Sequence, residues 1–139
     1  MKYMILLYGS QQDYDALTGK PVPGKPAWAP ADFAAMGAFM AEFSDELAGS
    51  GELVETRGLT APVHARRIHL VGGAPVVTDG PYAETQEVLA GYWIVDCEGF
   101  DRATQIAGGL SKCPGPAGAA ADAVIDVRPI ADSRDELGL

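Results

Sequence analysis

The sequence predicts an α+β fold, a ferredoxin-like sandwich in which two helices cover one face of a mainly antiparallel sheet. Three observations carry this expectation. Apolar strand patterns and helical stripes alternate along the chain as strand, helix, strand, hairpin, strand, helix, strand. Two of the strands are apolar on both alternating sides, as strands covered on both faces are. A Gly72-Gly73 pair between two β-rich runs marks a tight hairpin.

The first strand spans residues 2 to 8, "KYMILLY", where Met4 and Leu6 alternate with Ile5 and Leu7, all apolar. Residues 9 to 30 hold four prolines and three glycines and show no stable period. They read as a long connection of the kind that forms lids and binding segments. The "LTGKPVPGK" portion lacks phosphate-loop spacing, and Pro21 after Lys20 blocks the helix start that such a loop needs.

Residues 31 to 49 read as a helix. Phe33, Met36, Met40, Phe43 and Leu47 form one stripe at three- and four-residue steps, which predicts a core-facing side. Asp32 suits the first turn, and Gly49 with Gly51 suits the end. A strand follows at 52 to 59, leaving through Gly58. The hairpin runs from Ile68 to Val71 and from Pro75 to Thr78, with Pro75 requiring an unpaired N–H or an edge. Residues 87 to 97, "EVLAGYWIVDC", form the central strand, apolar on both faces from Tyr92 to Val95.

The second helix occupies "FDRATQIAGGLSKC", with Asp101 as its N-cap and Ala103, Ile106, Ala107 and Leu110 on one side. The segment "PGPAGAAADA" breaks it. The last strand, 123 to 130, alternates Val124, Asp126 and Arg128 with Ile125 and Val127. Arg128 is either an inward charge needing a carboxylate or an exposed strand residue. Two helices cover only one face of such a sheet, so its second apolar face needs a cover. A second copy of the chain is the simplest supplier, and a homodimer is expected.

Composition narrows the function. The chain has 139 residues, 47% hydrophobic and 21% charged, as a soluble one-domain globular protein does. A net charge of −9 repels phosphate backbones and anionic lipid, which argues against nucleic-acid and membrane partners. With no apparent targeting segment, a cytoplasmic location is the expectation. Cys97 and Cys113 have no metal-ligand spacing and read as reduced structural thiols. No metal and no cofactor is expected.

The stretch "VTDGPYAETQEVLAGYWIV" (77 to 95) carries the most specific signal. It closely resembles the DGPF motif, DGPFAETKE, of the YCII-related family, with Tyr82 in place of Phe and Gln86 in place of Lys. "MKYMILLYG", "GYWIVD" and "VRPI" extend the resemblance over a single YCII-related domain at 1 to 139. It is weakest in 11 to 30 and 114 to 123. The resemblance implies a dimeric α/β-barrel of ferredoxin-like subunits and kinship with muconolactone isomerases and small monooxygenases. It also implies an association of some members with extracytoplasmic-function sigma factors, and for better-known relatives a site pairing an Asp with a His. Neither His64 nor His69 falls in a motif that maps onto that pairing.

Asp79 is the candidate catalytic residue, a general acid or base in a cleft, or else the residue that fixes the turn. Around the Gly72-Gly73 turn, opposed positions sum to 145, so His69 faces Val76 and Asp79 faces Arg66. An opposed arginine favours the charged carboxylate and weakens the case for acid–base chemistry. Tyr82, Tyr92, Arg66 and His69 are the candidate ligand-binding residues, though aromatic residues beside two-faced strands are commonly core. Glu84 and Glu87 read as solvated surface.

Two functions follow. One is a ligand- or partner-binding regulatory module, sensing a small molecule or a protein such as a sigma factor. The other is a small-molecule enzyme of isomerase, lyase or cofactor-free monooxygenase type, using Asp79 in a subunit cleft.

Overall fold

A computed structural model describes residues 1 to 116 and 123 to 139. Six strands and three helices are present among these residues: β1 (Lys2–Gly9), α1 (Gln11–Leu17), α2 (Pro30–Gly49), β2 (Leu53–Gly58), β3 (Arg66–Val71), β4 (Ala74–Asp79), β5 (Val88–Asp96), α3 (Phe100–Gly109) and β6 (Ile125–Pro129). Four strands form an antiparallel sheet in the order β2-β5-β1-β6, and β3 with β4 form a separate two-stranded sheet. Without the β3–β4 insertion, the order and the helix placement match a ferredoxin-like α+β fold.

The register divides the sheet into two faces. Tyr3, Ile5, Trp93 and Val95 point to the helices and are buried, joined there by Leu53 and Val127. From α3 and the turn after it come Ala103, Ile106, Ala107 and Leu110, the side expected from the sequence. Phe43 meets Trp93 edge-on at 5.6 Å, and Phe100 meets Tyr3 likewise at 5.4 Å, so aromatic contacts tie α2 and α3 to the buried rings of the sheet. Gly91 is required in β5: a Cβ there would stand 3.0 Å from the Arg57 carbonyl oxygen of β2.

The opposite face carries Met4, Leu6 and Tyr8 of β1 and Tyr92 and Ile94 of β5, all only half-buried. Glu55 and Arg57 border it on the β2 side, Asp126 and Arg128 on the β6 side. Arg128 is therefore an exposed strand residue opposite Met4. The alternation of two apolar sides in β1 and β5 is real, but within one chain only one side is covered.

Three expectations need correction. Residues 9 to 30 are not an unstructured connection throughout, because α1 fills 11 to 17. Ser10 Oγ accepts from the Asp13 N–H at 3.1 Å, Asp13 Oδ2 accepts from the Ser10 N–H at 2.8 Å, and this reciprocal cap starts the helix. The apolar stripe of α2 is core only at its C-terminal end. Leu47 is buried and Phe39, Met40 and Phe43 pack on the core, whereas Phe33 is 48% exposed. A 20-residue helix is about 30 Å long and overhangs the sheet. Asp101 lies in the first turn of α3, but the N-cap is Gly99, with no side-chain cap.

The α3 helix continues as a tight turn at Leu110–Lys112 and ends before Pro114. Most of the "PGPAGAAADA" breaker, residues 117 to 122, lies outside the described residues. Both cysteines are free thiols, Cys97 buried and Cys113 half-buried, where burial pushes the Cys113 thiol up.

Candidate functional site

The DGPY turn is built where the hairpin returns to the body of the molecule. Gly80, at φ +54°, donates its N–H to the Ala65 carbonyl at 2.8 Å and closes the base of the hairpin. A Cβ at Gly80 would come 3.3 Å from the Val63 carbonyl oxygen, so the backbone both needs the left-handed conformation and leaves little room. The hairpin register is the expected one, with Arg66 opposite Asp79 and His69 opposite Val76.

Asp79 and Arg66 are joined by an ion pair of 2.9 Å, with their side chains 78% and 76% exposed. Asp79 thus points to solvent and to its arginine, and lines neither of the two clefts described below. His69 lies further out on β3, also exposed. The structure brings Arg66 and Asp79 together and leaves His69 apart from both.

Tyr82 takes a different position. The Arg67 guanidinium stands 5.1 Å above its ring centre, a cation–π contact that holds the ring in place. Tyr82 lines a cleft of about 310 Å³ whose other walls are Leu59, Pro62, His64, Val88 and Leu89 with the intervening backbone. The three-residue turn Pro62–His64 and the start of β5 bring these side chains together.

Helix α1 braces this region. Tyr14 donates its hydroxyl to the Leu59 carbonyl at 2.7 Å, and burial holds that phenol above its ordinary range. Gln11 accepts from the Val63 N–H at 2.9 Å, and the Gln12 N–H donates to the Glu84 carbonyl at 3.1 Å. One short helix therefore ties both the 59–65 segment and the acidic connection of the motif to β1. Glu84 and Glu87 themselves are exposed. Sequence reasoning missed α1, Tyr14, Arg67 and the 59–65 wall. The signal that could have found α1 was Ser10 followed three positions later by Asp13.

Tyr92 is remote from this cleft, on the open face of the sheet. Its hydroxyl donates to Glu55 at 3.2 Å, and on the same face Tyr8 donates to Asp126 at 2.6 Å. Both phenols are pushed up, Tyr92 by burial and then by Glu55, Tyr8 first by its bond to Asp126. Both remain neutral hydrogen-bond donors at neutral pH.

A second concavity of about 400 Å³ lies between α2 and α3, floored by Phe39, Phe43, Leu47 and Ile106 and edged by Glu42 and Glu46. Beside it, Arg102 grips both oxygens of Glu52 at 2.8 and 2.7 Å. This bidentate bond, helped by Ser50, holds the Glu52 carboxyl down to about 2. The pair joins the end of α2 to α3 and is architectural.

Comparison with known proteins agrees with the motif. A relative in Rhizobium meliloti (strain 1021), itself an uncharacterised protein, is 33% identical over 82 residues, which is 59% of this chain and 62% of that protein. The chain thus spans under two thirds of the length of that relative. The model of the YCII-related domain matches residues 1 to 130, nearly the whole chain. With the motif turn and the α+β sheet order in agreement, the chain belongs to the YCII-related domain family.

Proposed function

We propose that this protein is a homodimeric binding module of the YCII-related family, and that a small apolar ligand occupies the cleft behind its motif turn. One observation carries the reading: the side chain of the motif that builds a cleft wall is Tyr82, while Asp79 is turned outward to Arg66. Acid–base catalysis needs a carboxylate within reach of a sequestered substrate, with its proton affinity shifted by burial. Binding needs a concave, mainly apolar surface with a few polar groups, and a cleft of about 310 Å³ lies at the small end of such sites. Thr60, His64 and Tyr82 are the residues with polar side chains in its lining.

Dimerisation through the open sheet face belongs to the same reading. That face is apolar along its middle and bears one acid and one arginine on each border, Glu55 with Arg57 and Asp126 with Arg128. Its rim is neutral on a molecule of net charge −9, so a second copy meets no net repulsion there. An isologous pairing of this face closes two sheets around one core, the arrangement of a dimeric α/β-barrel. The ligand signal then passes to a partner protein, and an extracytoplasmic-function sigma factor is the partner class to try first.

A neutral aromatic probe, N-phenyl-1-naphthylamine, tests the cleft. Its fluorescence should rise and saturate at one probe per chain, and Tyr82→Ala should weaken binding about tenfold, the loss of one aromatic wall. Unchanged affinity in Tyr82→Ala would place the probe elsewhere and defeat the reading.

A further inference from the structure

We infer that the β3–β4 hairpin is an arm that grips a second copy of this chain, a second contact beside the open sheet face. The inference rests on the dimer reading above.

All twelve strand residues of the hairpin are exposed. Ile68, Leu70 and Val77 share one face with exposures of 70%, 67% and 58%, and Val71 and Val76 lie on the other at 58% and 46%. A lone two-stranded ribbon is at best marginally stable in water, and its outer edges offer unpaired backbone groups. Yet this ribbon is stiffened at its base, by the Gly80–Ala65 backbone bond, the Arg66–Asp79 pair and the Arg67–Tyr82 stack. It is a rigid projection of about 20 Å with apolar sides, which is a shape for reaching another molecule.

Two quantities choose a second copy as that molecule. The first is charge. Arg66 and Arg67 against Asp79 give the hairpin +1, which leaves −10 on the rest of a chain totalling −9. The arm is therefore drawn to the body of another such chain. The second is size. A standard interface takes about 20–30 residues a side. The open sheet face supplies nine side chains, and the twelve hairpin residues bring the total into that range. Twofold symmetry then seats each arm on the other copy and leaves neither ribbon bare.

Sedimentation equilibrium on the full chain, compared with an Ile68→Asp/Leu70→Asp variant, tests the arm. The variant should keep its far-UV circular dichroism, because Ile68 and Leu70 are 70% and 67% exposed in their own chain, and should dimerise at least about tenfold more weakly. Hydrogen exchange of the unaltered protein gives a measurement free of any folding defect. Amides of 66 to 79 should gain protection as concentration rises through the dimer transition. A dimer whose affinity is the same in the variant, or whose hairpin exchange ignores concentration, overturns the arm alone. A chain that stays monomeric up to millimolar concentration overturns the dimer reading and the arm with it. Binding of the hairpin to phosphatidylcholine vesicles instead of to a second copy overturns the arm.

Discussion

Among the described residues Glu52 has its carboxyl held far below the ordinary range, and its pH dependence follows from one bidentate bond. Its carboxyl is near 2 when folded against an ordinary 4.5, so the folded state binds its proton less readily than the unfolded chain. That stabilisation is fully present above about pH 5 and is lost as pH falls from there through 2. Glu52→Gln should lower the melting temperature by roughly 2–5 °C near pH 7. The difference from the unaltered protein should shrink steadily below pH 4.5, as the thermal scan is repeated in acid. Arg66 and Asp79 make the opposite case. Their single bond, at 2.9 Å, is nearly as short, but both side chains are mostly in water, and a double-mutant cycle should return a coupling below about 1 kcal/mol. The pairing of these two residues was legible in the sequence, because turn type fixes hairpin register. The exposure of Asp79 was not, because exposure depends on what the hairpin packs against.

Two elements decide how the cleft is held. Helix α1 is only seven residues long and depends on its cap. Ser10→Ala removes the hydroxyl that accepts from Asp13 and should cost about 1 kcal/mol. Hydrogen exchange should show the loss as faster exchange at the start of α1. In β5, Gly91→Ala would push a methyl against the Arg57 carbonyl and should destabilise by roughly 1–3 kcal/mol, measured by urea denaturation. The strands, the hairpin and α3 were readable because periods of two and of about 3.6 both stand out over six or more residues. α1 was not readable from periodicity, since seven residues give fewer than two full turns of pattern and prolines crowd its C-terminal side, and only the Ser10–Asp13 cap spacing marks its start. The α2 stripe keeps one direction along its whole length, yet it is core only from Phe39 to Leu47. Periodicity gives the direction of a face, while the length of sheet beneath the helix sets how much of that face is covered.

At the scale of the whole molecule, the chain has more apolar β-surface than its helices cover. The open sheet face and the hairpin are two separate expressions of that excess. Two-sided apolar strands announced the first in the sequence. The second was hidden, because a hairpin pattern does not reveal whether the hairpin joins the main sheet. Leu6 lies in the middle of the open face, opposite both Tyr92 and Asp126. Leu6→Asp should leave the fold intact by circular dichroism and convert a dimer to a monomer in sedimentation velocity. The cleft itself required the three-dimensional arrangement, since its walls come from residues 59 to 65, 82 and 88 to 89. Of these, Tyr82, Val88 and Leu89 lie in the motif stretch, while nothing in the sequence marks 59 to 65 as their neighbour.

The binding cleft is tested most directly by two-dimensional NMR of the labelled protein titrated with N-phenyl-1-naphthylamine. Amide shifts should concentrate in 59 to 65, at Gly80 and Tyr82, and at Val88 and Leu89, and they should saturate together. Shifts that gather instead between α2 and α3, around Phe39, Phe43 and Ile106, would contradict the assignment of the site to the motif turn.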